Sequence, residues 1–148
     1  MGISRDGIEL VKAFEGCRLT PYFCPANIPT DGWGNTHNVD MKRTLTQSQA
    51  DARLASNMMV VSSDVDKLVK VDITQGMHDA LCSFVFNLGE HALANSTLLK
   101  LVNAKDFVGA SEQFERWDKA VVKGMLVPMP GLHRRRLAEK AMFMSGTA

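Results

Sequence analysis

The stretch EGCRLTPYFCPANIPTDGWGNTH, residues 15–37, decides how this chain folds. Glu15 closes a segment in which Ile8, Val11 and Phe14 recur at helical spacing. Ser4 stands where a helix cap is wanted, and Gly16 where a stop is wanted. Behind the stop the pattern changes at once. Pro21, Pro25, Pro29, Gly32 and Gly34 punctuate aromatic and β-branched residues, which predicts short strands joined by tight turns. A helix that runs into a small sheet leaves a carboxyl at the junction. Glu15 comes four positions after Val11 and seven after Ile8, so it projects from the apolar side. A Glu at a helix end commonly turns to solvent. One kept among apolar groups holds its proton more tightly, as a general acid requires. Cys24 and Thr30 then place a thiol and a hydroxyl at the mouth of the expected cleft.

Outward from this stretch the chain reads as helices. Thr46 and Gln49 form a capping box that opens a long helix to about Val69, with Ala50, Leu54, Met58, Val61, Val65 and Leu68 on one stripe. A helix of ~20 residues spans ~30 Å, enough to join two lobes. Thr74 caps an apolar helix to about Leu88, with Leu81, Phe84 and Val85 as core and Gly89 as stop. Asn95 and Ser96 precede a short helix over 97–103, and Asp106 opens another that reaches Trp117. The loop Pro128-Met129-Pro130-Gly131 leads into a last helix, Leu132 to Met144. The expected class is α+β, mostly helical, with one small sheet near the N-terminus.

The chain's 148 residues suit one domain with a real core. A formal charge of +1 argues against nucleic acid as a partner, because such proteins carry a basic excess. The first residues lack a signal peptide's basic start and apolar run, and no later run approaches the ~20 apolar residues of a membrane span. Stable membrane insertion is therefore not expected. Cys17, Cys24 and Cys82 show no CxxC spacing, which predicts free thiols and a host cytoplasm as the place of accumulation. Cys17 and Cys82 sit in apolar patterns and are assigned to packing. The histidines are scattered, so no metal is expected and no cofactor is implied. His37 beside Cys24 raises a Cys–His hydrolase reading. The cysteine lies in a turn and not at a helix N-terminus, which argues against it.

The spacing of Glu15, eight residues, Cys24, five residues, Thr30 resembles the Glu, eight, Asp-or-Cys, five, Thr signature of phage-type lysozymes, glycoside hydrolase family 24. Residues 8–16 look like that family's first helix, which ends in Phe-Glu-Gly. Thr30-Asp31-Gly32-Trp33-Gly34-Asn35-Thr36 is similar to its Thr-Ile-Gly-Tyr-Gly-His-Thr turn. Phe84 to Gly89, Ser96 to Leu99, Phe114 to Trp117 and Gly131 to Glu139 continue the series. The resemblance implies a two-lobed lysozyme fold in one catalytic domain, residues 1–148. Its small lobe, about 17–46, would hold a three-stranded antiparallel sheet. A linking helix would cover about 47–69, and a helical lobe about 70–148 together with the first helix.

It further implies an endolysin, a muramidase that cuts the β-1,4 bond between N-acetylmuramic acid and N-acetylglucosamine in bacterial peptidoglycan. Glu15 would be the acid, Cys24 would take the place usually held by Asp, and Thr30 would hold a water. Phe86 and Asn87 would line the sugar cleft, and Arg116 and Trp117 would brace the lobe. The family is usually monomeric, and a phage holin would provide the route to the wall for host lysis.

Three departures from the family pattern matter. A thiol of pKa near ~8.5 is mostly uncharged at neutral pH, whereas an inverting glycosidase wants a base about 6.5–9.5 Å from its acid. Attack by the sugar's own hydroxyl, as in a lytic transglycosylase that leaves a 1,6-anhydro end, is the alternative on the same scaffold. A non-catalytic wall binder or membrane disruptor working through the last helix is a third class. Asp31 replaces Ile and Asn35 replaces His. On a strand Asp31 faces away from Thr30, which argues against its serving as a surrogate carboxylate. Arg134 to Arg136 form a solvated helix face, or pair internally with Glu139.

Overall fold

A computed structural model describes residues 1–146. Its first helix, α1 (Arg5–Glu15), is capped by the Ser4 hydroxyl, which accepts from the Gly7 N–H, and it stops at Gly16, where φ is 67°. Two strands follow, β1 (Arg18–Phe23) and β2 (Pro29–Gly32), paired antiparallel with Tyr22 opposite Thr30 and an irregularity between Arg18 and Tyr22. The expected third strand is reduced to an isolated bridge, Asp31 to Asn35. The cause is local: Asn35 spends its side chain on Asp31 and on the backbone of His37, which curls the chain where a ladder would have continued.

The long helix α2 (Gln47–Leu68) opens with both halves of the Thr46–Gln49 capping box. Next comes α3 (Gln75–Leu88), capped by Thr74 and stopped at Gly89. Every residue from Met77 to Val85 is buried, so α3 is enclosed on all sides and serves as the axis of the larger lobe. Against it pack α1, α2 and the last helix, α7 (Pro130–Met144). Between them run the short helices α4 (Glu90–Ala94), α5 (Thr97–Asn103) and α6 (Phe107–Gln113) and a 3₁₀ turn, Phe114–Trp117. Phe84 meets Phe114 and Trp117 edge-on, with centroids 6.1 and 5.3 Å away, and Phe114 meets Phe143. Trp117 thus braces the lobe, while the Arg116 side chain is exposed.

The sequence reading gave no strands beyond Trp117. The structure has a regular hairpin there, β3 (Lys119–Val122) paired with β4 (Met125–Pro128). The expected helix from Asp106 shortens accordingly, and α7 begins at Pro130, where proline's fixed φ suits a first helical position. The architecture is mostly helical with small antiparallel sheets, the expected α+β class.

Candidate active site

Glu15 owes its place to the end of α1, which lies across α3 beneath the turn at 31–35. That turn is tied down in several directions. Asp31 and Asn35 exchange backbone bonds of 2.9 and 2.8 Å, and the Asn35 amide donates to Asp31 Oδ1 at 2.8 Å. Arg53 of α2 reaches Asp31 Oδ2 at 2.8 Å, and Asn57 donates to Asn35 Oδ1 at 3.1 Å. Asp31 and Asn35 are both buried, so the two departures from the family pattern are partners of each other. Asp31 points into this network and not into a cleft. Trp33 Nε1 donates to Asp51 at 2.8 Å, and Lys12 stands 5.2 Å from the Trp33 ring centroid. The loop therefore sets Gly34 over Glu15. A Cβ on Gly34 would stand 3.0 Å from Glu15 Oε2, and φ there is +77°, so glycine is required on both counts.

The other carboxylate oxygen is held from the far end of the chain. Arg135 Nη1 donates to Glu15 Oε1 at 2.6 Å, with the Arg135 side chain 4% and the Glu15 side chain 19% exposed. Glu15 has a guanidinium partner where the sequence suggested an apolar wall. Arg135 is itself fixed by the carbonyl and hydroxyl of Ser83 and by Glu139, 3.4 Å from its Nε. Glu139 is fully buried and accepts from Ser83 Oγ at 2.5 Å and from Arg136 Nη2 at 3.0 Å. Its other oxygen lies 2.7 Å from Arg136 Nε, an ion contact whose angle is not that of a hydrogen bond. Burial pushes the Glu139 carboxyl up against the pull of both guanidiniums. The arginine run is thus a solvated face at Arg134 alone. Arg135 and Arg136 turn inward, as the spacing Arg135, Glu139, Phe143 on one side of α7 could have signalled.

A cavity of about 650 Å³ opens beside Glu15, bordered by Gly34, His37, Asn57, Phe86 and Asn87. A second, of about 510 Å³, is bordered by Phe14, Met129, Leu132 and Arg134. Glu15 and Asn87 border both, so a groove passes the carboxyl on either side. Asn87 Oδ1 accepts from Arg136 at 2.9 Å, which leaves the Asn87 amide N–H groups as what it can offer a ligand. Glu15, Phe86 and Asn87 therefore share one wall. His37, Asn57 and Gly34 join them; of these the sequence raised only His37, and that beside Cys24 in a Cys–His reading.

Cys24 and Thr30 stand together on the first hairpin and are not among the residues that border either cavity. Thr30 is buried and donates to the Ile28 carbonyl at 2.8 Å. Bonds from the Ile28 backbone above all, then from the Ala26 backbone, hold the half-exposed Cys24 thiol below its ordinary range. Cys82 is buried as expected, and burial with nearby Asp79 pushes its thiol far up. Cys17 does not join the core. It is half-exposed, 3.8 Å from the Gln47 amide. Among the described residues no group of three or more His, Cys, Asp or Glu side chains could hold a metal ion, and no helix is long and apolar enough to cross a membrane.

The phage lysozyme family matches residues 12–139. An endolysin of Acyrthosiphon pisum secondary endosymbiont phage 1 is 46% identical over 145 residues, covering 98% of this chain and 99% of its own. Among solved structures, an endolysin from Escherichia coli O157:H7 phage FAHEc1 superposes with a TM-score of 0.92 at 36% identity, over 99% of this chain and 96% of that one. The muramidase domain of SpmX from Asticcacaulis excentricus superposes at 0.91 with 34% identity, over 96% and 97%.

Proposed function

This chain belongs to the phage lysozyme family, and from that premise we propose that it is an endolysin that hydrolyses the β-1,4 bond between N-acetylmuramic acid and N-acetylglucosamine in peptidoglycan. The observation that carries the reading is the position of Glu15, which borders both halves of the groove with one oxygen pinned and the other open. Arg135 uses Oε1 as an acceptor, so the proton for transfer belongs on Oε2, beside Gly34. A glycan lying along the groove would present its bridging oxygen there. As the bond to that oxygen breaks, Glu15 delivers the proton and the sugar left behind develops oxocarbenium character. Asn87 donates to the sugar, and Phe86 gives an apolar wall. Cys24 and Thr30 would order the water that attacks from the opposite face, with the lowered thiol ionised in a larger fraction near neutral pH than an ordinary cysteine.

One observation favours the second reading. The thiol and the Thr30 hydroxyl stand apart from the residues that border the cavities, so the sugar's own C6 hydroxyl is a competing nucleophile. The released termini decide between them, because transglycosylation leaves a 1,6-anhydro end that lacks the added water. Action as a monomer, from a host cytoplasm through a holin lesion, completes the proposal.

The experiment is digestion of purified wall sacculi by the wild-type protein and by Glu15→Gln, with mass spectrometry of the soluble fragments. Loss of a general acid costs about 10²- to 10⁴-fold, so the variant should release almost nothing while its melting temperature stays near that of the wild type. A folded Glu15→Gln that clears sacculi at the normal rate would end the proposal.

A further inference from the structure

The hairpin β3–β4 is the part of the molecule that the groove leaves unused. Val121, Met125 and Leu126 are 69%, 71% and 68% exposed. Val121 pairs with Leu126 and Val122 with Met125, and successive residues of a strand point to opposite faces, so aliphatic groups cover both sides of the ribbon. Lys123 and Gly124 have φ of 51° and 79°, the pattern of a tight primed turn, which puts a lysine at the tip. A continuous apolar ribbon of this kind marks a contact surface.

The charge around it has one sign. Between residues 119 and 138 the sequence contains no Asp or Glu, while Lys119, Lys123 and Arg134 stand exposed. Asp118, at the foot of the hairpin, is taken by Lys119 at 3.1 Å and His133 at 3.2 Å. The matching partner is anionic at its surface and apolar beneath.

We propose that β3–β4 is a reversible anchor for a bilayer containing anionic phospholipid. Val121, Val122, Met125 and Leu126 enter the acyl boundary, and the lysine stems let their ammonium groups remain at the level of the phosphates. A second copy of the chain fits less well. Two β3 strands paired antiparallel would bring lysines of like charge together, and β4 ends in Pro128, which has no N–H to donate. Nucleic acid would leave the aliphatic groups in water. Met129, just past the hairpin, borders the groove at Glu15, so anchoring would hold that groove against the membrane face of the wall.

The test uses the full chain in sedimentation with vesicles of phosphatidylglycerol and phosphatidylethanolamine, or of phosphatidylcholine alone. Digestion of lipid-free sacculi and solution mass by light scattering run alongside. The expected result is binding to anionic vesicles at least tenfold tighter than to neutral ones, weakened by salt. V121E/L126E should abolish that binding and still digest sacculi at the wild-type rate. K123Q, at the solvent-exposed tip, leaves both strands intact and should weaken binding about fivefold, as one lysine near an anionic surface contributes. Failure of the wild type to bind anionic vesicles overturns the proposal, as does undiminished binding by folded V121E/L126E or by K123Q. A wild-type dimer that V121E/L126E dissolves, without vesicle binding, would assign the ribbon to self-association. Loss of sacculus adsorption in that variant would assign it to the wall. Either outcome also overturns the proposal.

Discussion

The molecule carries two small antiparallel hairpins, and they are stabilised in opposite ways. The first, β1–β2 with its turn at 31–35, has an irregular ladder and exposes only Phe23 and Ile28 among its large apolar side chains. It is fastened to α2 by Asp31–Arg53, Trp33–Asp51 and Asn35–Asn57. The second, β3–β4, has an unbroken register and exposed Val121, Val122, Met125, Leu126 and Val127, and its ladder closes at the base, where the Met129 N–H donates to the Asp118 carbonyl at 2.8 Å. A regular ladder therefore does not indicate which hairpin is held rigid. Side-chain anchoring does, and the anchored hairpin is the one that sits over Glu15. Backbone bonds exposed to water add little net stability, whereas buried polar partners cost heavily when one is removed.

Asp31→Ala should have the largest effect. It leaves one of the two Asn35 amide N–H groups without an acceptor in the interior and frees Arg53, which is part-exposed and can be rehydrated, so the cost is about 2 kcal/mol. In a chain of this size that lowers the melting temperature by about 4–8 °C. Gly34→Ala comes next. The left-handed backbone costs about 1 kcal/mol, and the new methyl crowds Glu15 Oε2, so wall-digesting activity should fall more than stability does. Stability and activity falling in step would mean that Gly34 serves the fold alone.

Cys24→Asp changes pH dependence more than stability. If the thiolate is the base, wild-type activity rises with pH as the thiol ionises, at a pH below that of an ordinary cysteine. Aspartate is already charged near pH 4, so the acid limb of the variant's profile should move down by several pH values. An unmoved limb would remove Cys24 from the chemistry. Val121→Ser, on the second hairpin, should change stability by no more than about 0.5 kcal/mol. If it cost as much as Asp31→Ala, the contrast between the hairpins would be lost.

What the sequence made legible was whatever carried a cap or a period. Ser4, Thr46, Thr74, Ser96 and Asp106 each accept the expected backbone N–H, and the helices they open were visible in advance. The short α4 was not, because its cap is Gly89, which has no side chain to announce it. The second hairpin was missed because aliphatics on both faces erase the alternation that identifies a half-buried strand. In the site, the spacing of Glu15, Cys24 and Thr30 fixed their order along the chain but not which surface each one faces. Arg135 was hidden inside a run of three arginines. The spacing to Glu139 allowed internal pairing, and the packing of α7 on α3 selects it, turning two of them inward to a buried carboxylate.

The pairing of Glu15 with Arg135 spans 120 positions of the chain. The acid therefore leaves the ribosome 120 residues before its clamp. A product released before the final helix is translated carries the carboxyl without the cation that aims it. Synthesis through that helix is thus a condition of the geometry, and products cut short before it do not possess it.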